Sequence, residues 1–351
     1  GHDFFRVGGM DLSRDGRWLL YGVDTEGDER YDYRIRNLET GNELSERFDG
    51  IGGACFTPDG RWVFWVELDD AWRPAAVWRH KVGTPAAADV CVYRETNERF
   101  WVGVGISFDE RNIVIFTGSK TTTEVLLLPV ATPEDEFRSF IPRETGVEYD
   151  VSFACFEGVG SNGEDIPLAV VYHNASNPNF EIDVIDMRDH EPPYRLGEGV
   201  CVASGSPYGC EHGEPARLIG EAYDNPRNPA ILRGARGLGI EGISLHRHFV
   251  SLSYRADGLP HVAYMTKNQA AADFLAGRPW NFRTLEPPAL EGDWDATASD
   301  DATTLTAESD IVLSEGAHRL YSIGTGGNPS YDAPRMRYSF SSYTRPGELH
   351  D

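Results

Sequence analysis

Several things are scarce or missing from this 351-residue sequence, and each gap narrows what the chain can be. No apolar run approaches the ~20 residues that a membrane-spanning helix needs. The opening residues also lack the charged-then-apolar pattern of a signal peptide. Only five cysteines occur, Cys55, Cys91, Cys155, Cys201 and Cys210, an odd number at irregular spacing. That pattern argues against a disulfide scaffold and points to a reducing cytoplasm. Bases are outnumbered, 32 Lys and Arg against 56 Asp and Glu, for a net charge of −24. Phosphate binding needs a basic face, so a nucleic-acid partner is excluded, whereas cationic ligands would be drawn in. The same acidity also serves solubility alone.

Catalytic motifs are missing as well. No Ser has Gly at both −2 and +2, as the nucleophile elbow of an α/β-hydrolase requires. The segments "VGVGIS" (102–107) and "GTGGNP" (324–329) lack the strand–GxGxxG–helix setting of a dinucleotide site. Cys201, Cys210, His212 and Glu214 share one loop, but their spacing is not that of a zinc knuckle. His246 and His248 fall two apart on an expected strand, as partly buried sheet histidines do. Acid pairs such as Asp69-Asp70 and Asp300-Asp301 suit solvated loop tips rather than a glycosidase cleft. On its residues the chain is expected to hold no cofactor, no metal and no complete active site.

What is abundant is turn chemistry: 37 Gly and 21 Pro, beside 40 aromatic residues (17 Phe, 15 Tyr and 8 Trp). "LSRDGRWLLYGVD" (12–24) recurs as "FTPDGRWVFWVELD" (56–69) and more loosely as "ISFDERNIVIFTGS" (106–119). The turn-opening residues Ser13, Thr57 and Ser107 stand 44 and then 50 positions apart. Each copy pairs an Asp-Gly or Asp-Glu turn with alternating apolar residues, which predicts a hairpin with one face buried. A second hairpin follows each, so one unit is a four-stranded sheet of about 40–50 residues, the size of a propeller blade. Six such units are recognisable, near 11–48, 51–85, 92–140, 147–187, 242–284 and 309–346. The Gly/Pro-rich stretch 191–240 reads as a loop or insertion, and a short helix is expected at 268–277 with Asn268 as its cap. The fold class is therefore all-β, a β-propeller of four-stranded antiparallel blades.

The blade sequences carry a resemblance. "GHDFFRVGGMDLSRDGRWLLYGVDTEGDERYDYRIRNLETG" (1–41), "RPAAVWRHKVGT" (73–84), "VYRETNERFWVGVG" (92–105), "PRETGVEYDVSF" (142–153) and "GGNPSYDAPRMRYSFSSYTRP" (326–346) resemble the prolyl oligopeptidase family of serine peptidases, its oligopeptidase B branch above all. The resemblance implies a seven-bladed propeller capping an α/β-hydrolase domain with a Ser–Asp–His triad, in a peptidase that cuts short peptides after Lys or Arg. The triad lies after the propeller in that plan, so the resemblance implies that this chain is the gating propeller alone, blades two through seven, inactive by itself. Its expected partners are short basic peptides and the hydrolase domain of the full-length chain, with no nucleic acid and no membrane. Glu95, in "YRETNERFW", falls where that branch has an acid on a cavity-facing loop. It is the one candidate for substrate binding or the domain interface, through a hydrolase arginine or a basic substrate. A free-standing propeller that serves as a binding scaffold is the competing expectation.

Overall fold

The computed structural model describes residues 2–176, 178, 180–188, 192–197, 199–204, 217–219, 238–256, 258–285, 320–343 and 345–351. Among them the strands form six sheets. The first contains β1 (Arg6–Leu12), β2 (Trp18–Asp24), β3 (Tyr31–Asn37) and β4 (Phe48–Ile51), paired in chain order. The second repeats that plan with β5 (Gly53–Phe56), β6 (Trp62–Leu68), β7 (Pro74–Lys81) and β8 (Val90–Arg94). The third does so with β9 (Trp101–Ile106), β10 (Asn112–Gly118), β11 (Thr123–Pro129) and β12 (Arg138–Ile141). All pairings in these three are antiparallel. Successive four-stranded meanders are the blades of a β-propeller.

The repeated sequence makes a repeated turn. Ser13 Oγ donates to Asp15 Oδ1 at 2.6 Å and accepts from the Trp18 N–H at 2.9 Å. Thr57 does the same with Asp59 (2.7 Å) and Trp62 (3.1 Å), and Ser107 with Asp109 (2.6 Å) and Asn112 (2.9 Å). In each, the carbonyl of the opening residue accepts from the N–H three residues on, at 2.8 Å. That third residue has positive φ, +68° at Gly16 and Gly60 and +59° at Glu110. Glycine adopts this region freely; a glutamate there costs roughly 1–2 kcal/mol. Glu110 has a compensating role, since its carboxylate accepts from Arg14 Nε at 2.8 Å, while the Arg14 N–H donates to the Pro58 carbonyl. The three turns are thus tied to one another.

Adjacent residues of a strand serve different cores. Val63 packs with Leu20, Ile35 and Phe48 of the first sheet, while Phe64 packs with Ile113, Ile115 and Leu128 of the third. One step further, Ile113 belongs to that core and Val114 joins Phe140, Tyr149 and Phe153. Both faces of the second and third sheets are therefore buried, rather than the single buried face that the alternation predicts. Strands covered on two sides read as near-continuous apolar runs such as "IVI" (113–115), all three of them buried, because neither set of side chains meets water there. Tyr33 shows how tightly the first sheet closes: a Cβ on its cross-strand partner Gly22 would stand 2.6 Å from its ring.

The remaining sheets are less regular. The fourth has β13 (Tyr149–Phe156), β14 (Ile166–His173), β15 (Glu181–Asp186) and β16 (Val200–Ser204). The fifth has β17 (Arg217–Ile219), β18 (Leu238–Leu245), β19 (Phe249–Ala256), β20 (Leu259–Thr266) and β21 (Asn281–Thr284), in the order β17-β21-β20-β19-β18. The sixth has three strands, β22 (Tyr321–Gly324), β23 (Tyr338–Ser342) and β24 (Glu348–His350). Strands β16 and β17 lie inside 191–240, the stretch read from sequence as a loop; the expected strand material at 309–319 lies outside the described residues. The chain divides into two compact units, Gly1–Pro178 with Ile182–Val200, and Asn179–Glu181 with Cys201–Asp351.

Helix α1 (Lys267–Leu275) forms where the Ala-rich run predicts it, but its cap is Thr266, whose hydroxyl accepts from the Gln269 N–H. Asn268 comes two residues too late, because Thr266 has the extended φ/ψ that a cap needs and ends strand β20. Its apolar side is sealed by buried Trp280, whose Nε1 donates to the Ala270 carbonyl at 3.1 Å. Cys55, Cys91 and Cys155 are free thiols, whereas Cys201 is disulfide-bonded. Disulfides are rare in a reducing cytosol, so this bond removes the ground on which the cysteine pattern pointed there. No helix among the described residues is long and apolar enough to cross a membrane.

Candidate functional site

Glu95 follows β8 in the segment that leads to β9, and its N–H donates to the Ala75 carbonyl at 2.8 Å. Arg143 lies one sheet later, two residues past the end of β12. The two meet: Arg143 Nη2 donates to Glu95 Oε2 at 2.5 Å. The same carboxylate accepts from Tyr93 Oη (3.0 Å), Thr117 Oγ1 (3.2 Å) and the Asn97 N–H (2.8 Å). Glu95 is 6% exposed, so these four donors replace nearly all its water.

Arg143 is held from three directions. Its guanidinium carbon stands 3.6 Å from the centre of the Phe100 ring, a cation–π stack. Its Nε lies 3.2 Å from Glu124 Oε2, an ion pair without hydrogen-bond alignment. Phe100 in turn has its carbonyl tied to Arg73 Nη1 at 2.8 Å, and Arg73 pairs with Asp69 at 2.9 Å.

The electrostatics follow from this packing. Burial pushes the Glu95 carboxyl upward, but the bonds from Arg143, the Asn97 N–H and Tyr93 outweigh it and hold the group below the usual range. Burial and the Glu95 charge together push the Tyr93 phenol up to about 12. Burial pulls the Arg143 guanidinium down, yet Glu95 and Glu124 leave it raised. Glu95 is thus an ionised anchor at neutral pH, and a proton shuttle is not among its roles.

The predicted site residue therefore has its cationic partner inside its own chain. Sequence reasoning singled out Glu95 and passed over Arg143, although Arg143 lies in "PRETGVEYDVSF", one of the blocks that carry the resemblance. Among the described residues, none of the other sequence candidates bonds Glu95. His246 and His248 lie in the turn between β18 and β19 rather than on a strand, His246 buried and His248 exposed. The reason is that β18 ends at Leu245, where the N–H of His246 closes the hairpin onto the Phe249 carbonyl. Of the Cys201–Glu214 loop, Cys210, His212 and Glu214 lie outside the described residues, as do Asp300 and Asp301. Asp69 bonds the Ala71 and Arg73 N–H groups of its own turn.

Comparison with known proteins matches these elements to a family. The model of the prolyl oligopeptidase N-terminal β-propeller domain matches residues 1–192. Dipeptidyl aminopeptidase BI of Pseudoxanthomonas mexicana is 36% identical over 151 residues, covering 42% of this chain and 21% of that protein. Protease 2 of Moraxella lacunata is 27% identical over 152 residues, covering 42% of this chain and 22% of its own length. The aligned stretch is thus about a fifth of either relative. Among solved structures, oligopeptidase B from Leishmania major superposes with a TM-score of 0.68 at 18% identity, over 99% of this chain and 39% of that one. Oligopeptidase B from Trypanosoma brucei gives 0.62 at 20% identity, again over 99% and 39%. At such identities the structural likeness speaks for fold, and the sequence match over more than half the chain speaks for descent. Both lead to one place: this chain belongs to the prolyl oligopeptidase family of serine peptidases, as its β-propeller domain.

Proposed function

We propose that the chain is the substrate-gating propeller of an oligopeptidase B-like enzyme that hydrolyses short peptides after Lys or Arg. The observation that carries this reading is the family match over residues 1–192. A propeller placed over a hydrolase domain admits flexible peptides and keeps folded proteins from the nucleophile. The net charge of −24 supports the preference for basic peptides, since an acidic field raises the encounter rate of cationic ligands. Partners in this reading are short basic peptides and the hydrolase domain of the full-length protein.

Glu95 enters the proposal through Arg143. With four donors already on its carboxylate, Glu95 fixes the guanidinium rather than meeting a substrate cation directly. The Arg143 side chain, a quarter exposed, is then the group presented to the hydrolase domain or to a peptide carboxylate.

The test is enzymatic. The purified chain, incubated with an Arg-linked fluorogenic peptide and a serine-reactive probe, is expected to show neither turnover nor labelling. The full-length protein is expected to show both, with an Arg-linked peptide cut at least tenfold faster than an Ala-linked one. In that protein Glu95→Gln should raise KM severalfold with kcat little changed. Labelling of the isolated chain, or equal rates on the two peptides, overturns the reading.

A further inference from the structure

We propose that a groove beside the loop between β11 and β12 binds a basic peptide segment, an apolar side chain flanked by Lys or Arg. The groove encloses about 880 Å³. Its floor is apolar, contributed by Leu127 of β11, Phe137 just before β12, and Met187, Pro192 and Tyr194 from the segment after β15. Glu134, Asp135 and Glu136 of the loop form its rim. All of these residues belong to the first compact unit.

The walls are fixed before any ligand arrives. Arg79 Nη1 donates to the Pro133 carbonyl at 2.7 Å, which pins the acidic loop to the second sheet. Within that loop the Thr132 and Asp135 N–H groups close successive turns onto the Pro129 and Thr132 carbonyls, each at 3.1 Å. Phe137 packs at right angles to Phe64, their ring centres 6.1 Å apart. The other wall is stitched to β12: the Tyr194 N–H donates to the Phe140 carbonyl at 2.7 Å, and the two rings lie 5.0 Å apart. A groove held in this way spares its ligand the cost of ordering loops.

Charge selects the occupant. The side chains of Glu134, Asp135 and Glu136 are exposed and make no hydrogen bond or ion pair among the described residues. Acids of other turns are taken up locally: Asp59 accepts from Thr57, and Asp69 from the Ala71 and Arg73 N–H groups. Three carboxylates against the one guanidinium of Arg138, which also lines the groove, leave it a net charge of −2. Such a rim draws cations, while the floor beside it offers apolar burial that a bare metal ion cannot use. A peptide with an apolar residue next to Lys or Arg uses both, its affinity coming from the floor and its preference from the rim. The inference does not rest on the peptidase reading, because binding is read without turnover.

The experiment uses the purified chain and the fluorescein-labelled peptide Ala-Leu-Lys-Arg-Lys-Ala, read by fluorescence polarisation. Saturable one-to-one binding is expected, weakening at least threefold as NaCl rises from about 50 to about 300 mM. The same peptide with Glu at its three basic positions should not bind, and with Gly for Leu it should bind at least fivefold more weakly. Changing the rim together, by Glu134→Gln, Asp135→Asn and Glu136→Gln, should weaken binding at least tenfold. Asp3→Asn, Glu39→Gln and Asp70→Asn together make the same change in net charge at exposed positions elsewhere and should leave binding within twofold. A benzophenone in place of the peptide's Leu should crosslink to residues 127–138 or to Met187, a readout on the unaltered chain. No saturable binding, equal loss in the two triple variants, undiminished binding of the Gly peptide, or a crosslink elsewhere overturns the proposal. So does a dimer in sedimentation that the rim variant dissolves, which would give the groove to a second copy of the chain.

Discussion

The first three sheets and the fifth are built on opposite plans. In the first three, each strand pairs with its chain neighbour, and one Ser/Thr–Asp turn recurs with the same hydrogen bonds at Ser13, Thr57 and Ser107. In the fifth, β17 pairs in parallel with β21, so the sheet is completed by residues more than 60 positions apart, Arg217 against Asn281. Local turn chemistry specifies the first region. The second depends on pairing between strands distant in sequence, a capped helix and the buried indole of Trp280. The contrast shows why repeats are easy to see at one end of the chain and blurred at the other: the same architecture is reached once by copied turns and once by distant pairing.

That comparison can be broken by substitution, the heaviest first. Phe64→Ala empties a fully buried position between the second and third sheets and should cost about 3–5 kcal/mol in denaturant unfolding. If the two regions are separately specified, hydrogen exchange will quicken across 53–141 and stay unchanged across 238–284; equal quickening would merge them.

Next in size are the turns. Thr57→Ala leaves the Trp62 N–H and the Asp59 carboxylate without their shared hydroxyl and should cost about 1–3 kcal/mol, whereas Thr57→Ser should be nearly neutral. Ser13→Ala and Ser107→Ala should fall in the same range. A tenfold smaller effect at either one would show that the three turns are not one device.

Acid should separate the regions through different groups. Burial, only partly offset by the Asn328 carbonyl, lowers the His246 imidazole from its ordinary 6.5. The unfolded chain then binds a proton that the folded chain refuses, so stability contributed here falls as pH drops below 6.5, by at most about 1.4 kcal/mol per pH unit. Glu95 is held below 4.5, so its contribution persists until the pH falls under that value. Between the two pH values, protection should weaken around β18–β20 before it weakens around β8–β9, and His246→Gln should flatten the upper limb.

The smallest effect concerns the helix cap. Thr266→Ala should cost about 1 kcal/mol and Asn268→Ala no more than about 0.5 kcal/mol, read from thermal melts.

The repeat made the blade plan legible because an Asp-Gly turn and its flanking apolar residues are local signals. What escaped was set by partners distant in sequence. Arg143 meets Glu95 across 48 positions, and nothing near either residue reveals the other. The fourth strand of the fourth sheet, β16, lay in a Gly/Pro-rich stretch whose composition masks five residues of ladder. His246 illustrates a boundary error: one residue past the strand, period-two reasoning no longer applies.

The parallel pairing of β17 with β21 also sets a timetable. A sheet whose strands join in chain order can close as soon as its last strand leaves the ribosome, so the first three sheets are complete once Ile141 has emerged. The fifth must wait until Thr284 has been made, with Arg217–Ile219 holding an unfilled edge meanwhile. Closing a loop of that length is slow, and an open edge recruits other chains. During synthesis, then, β17 is without its sheet partner over the interval from residue 219 to residue 284.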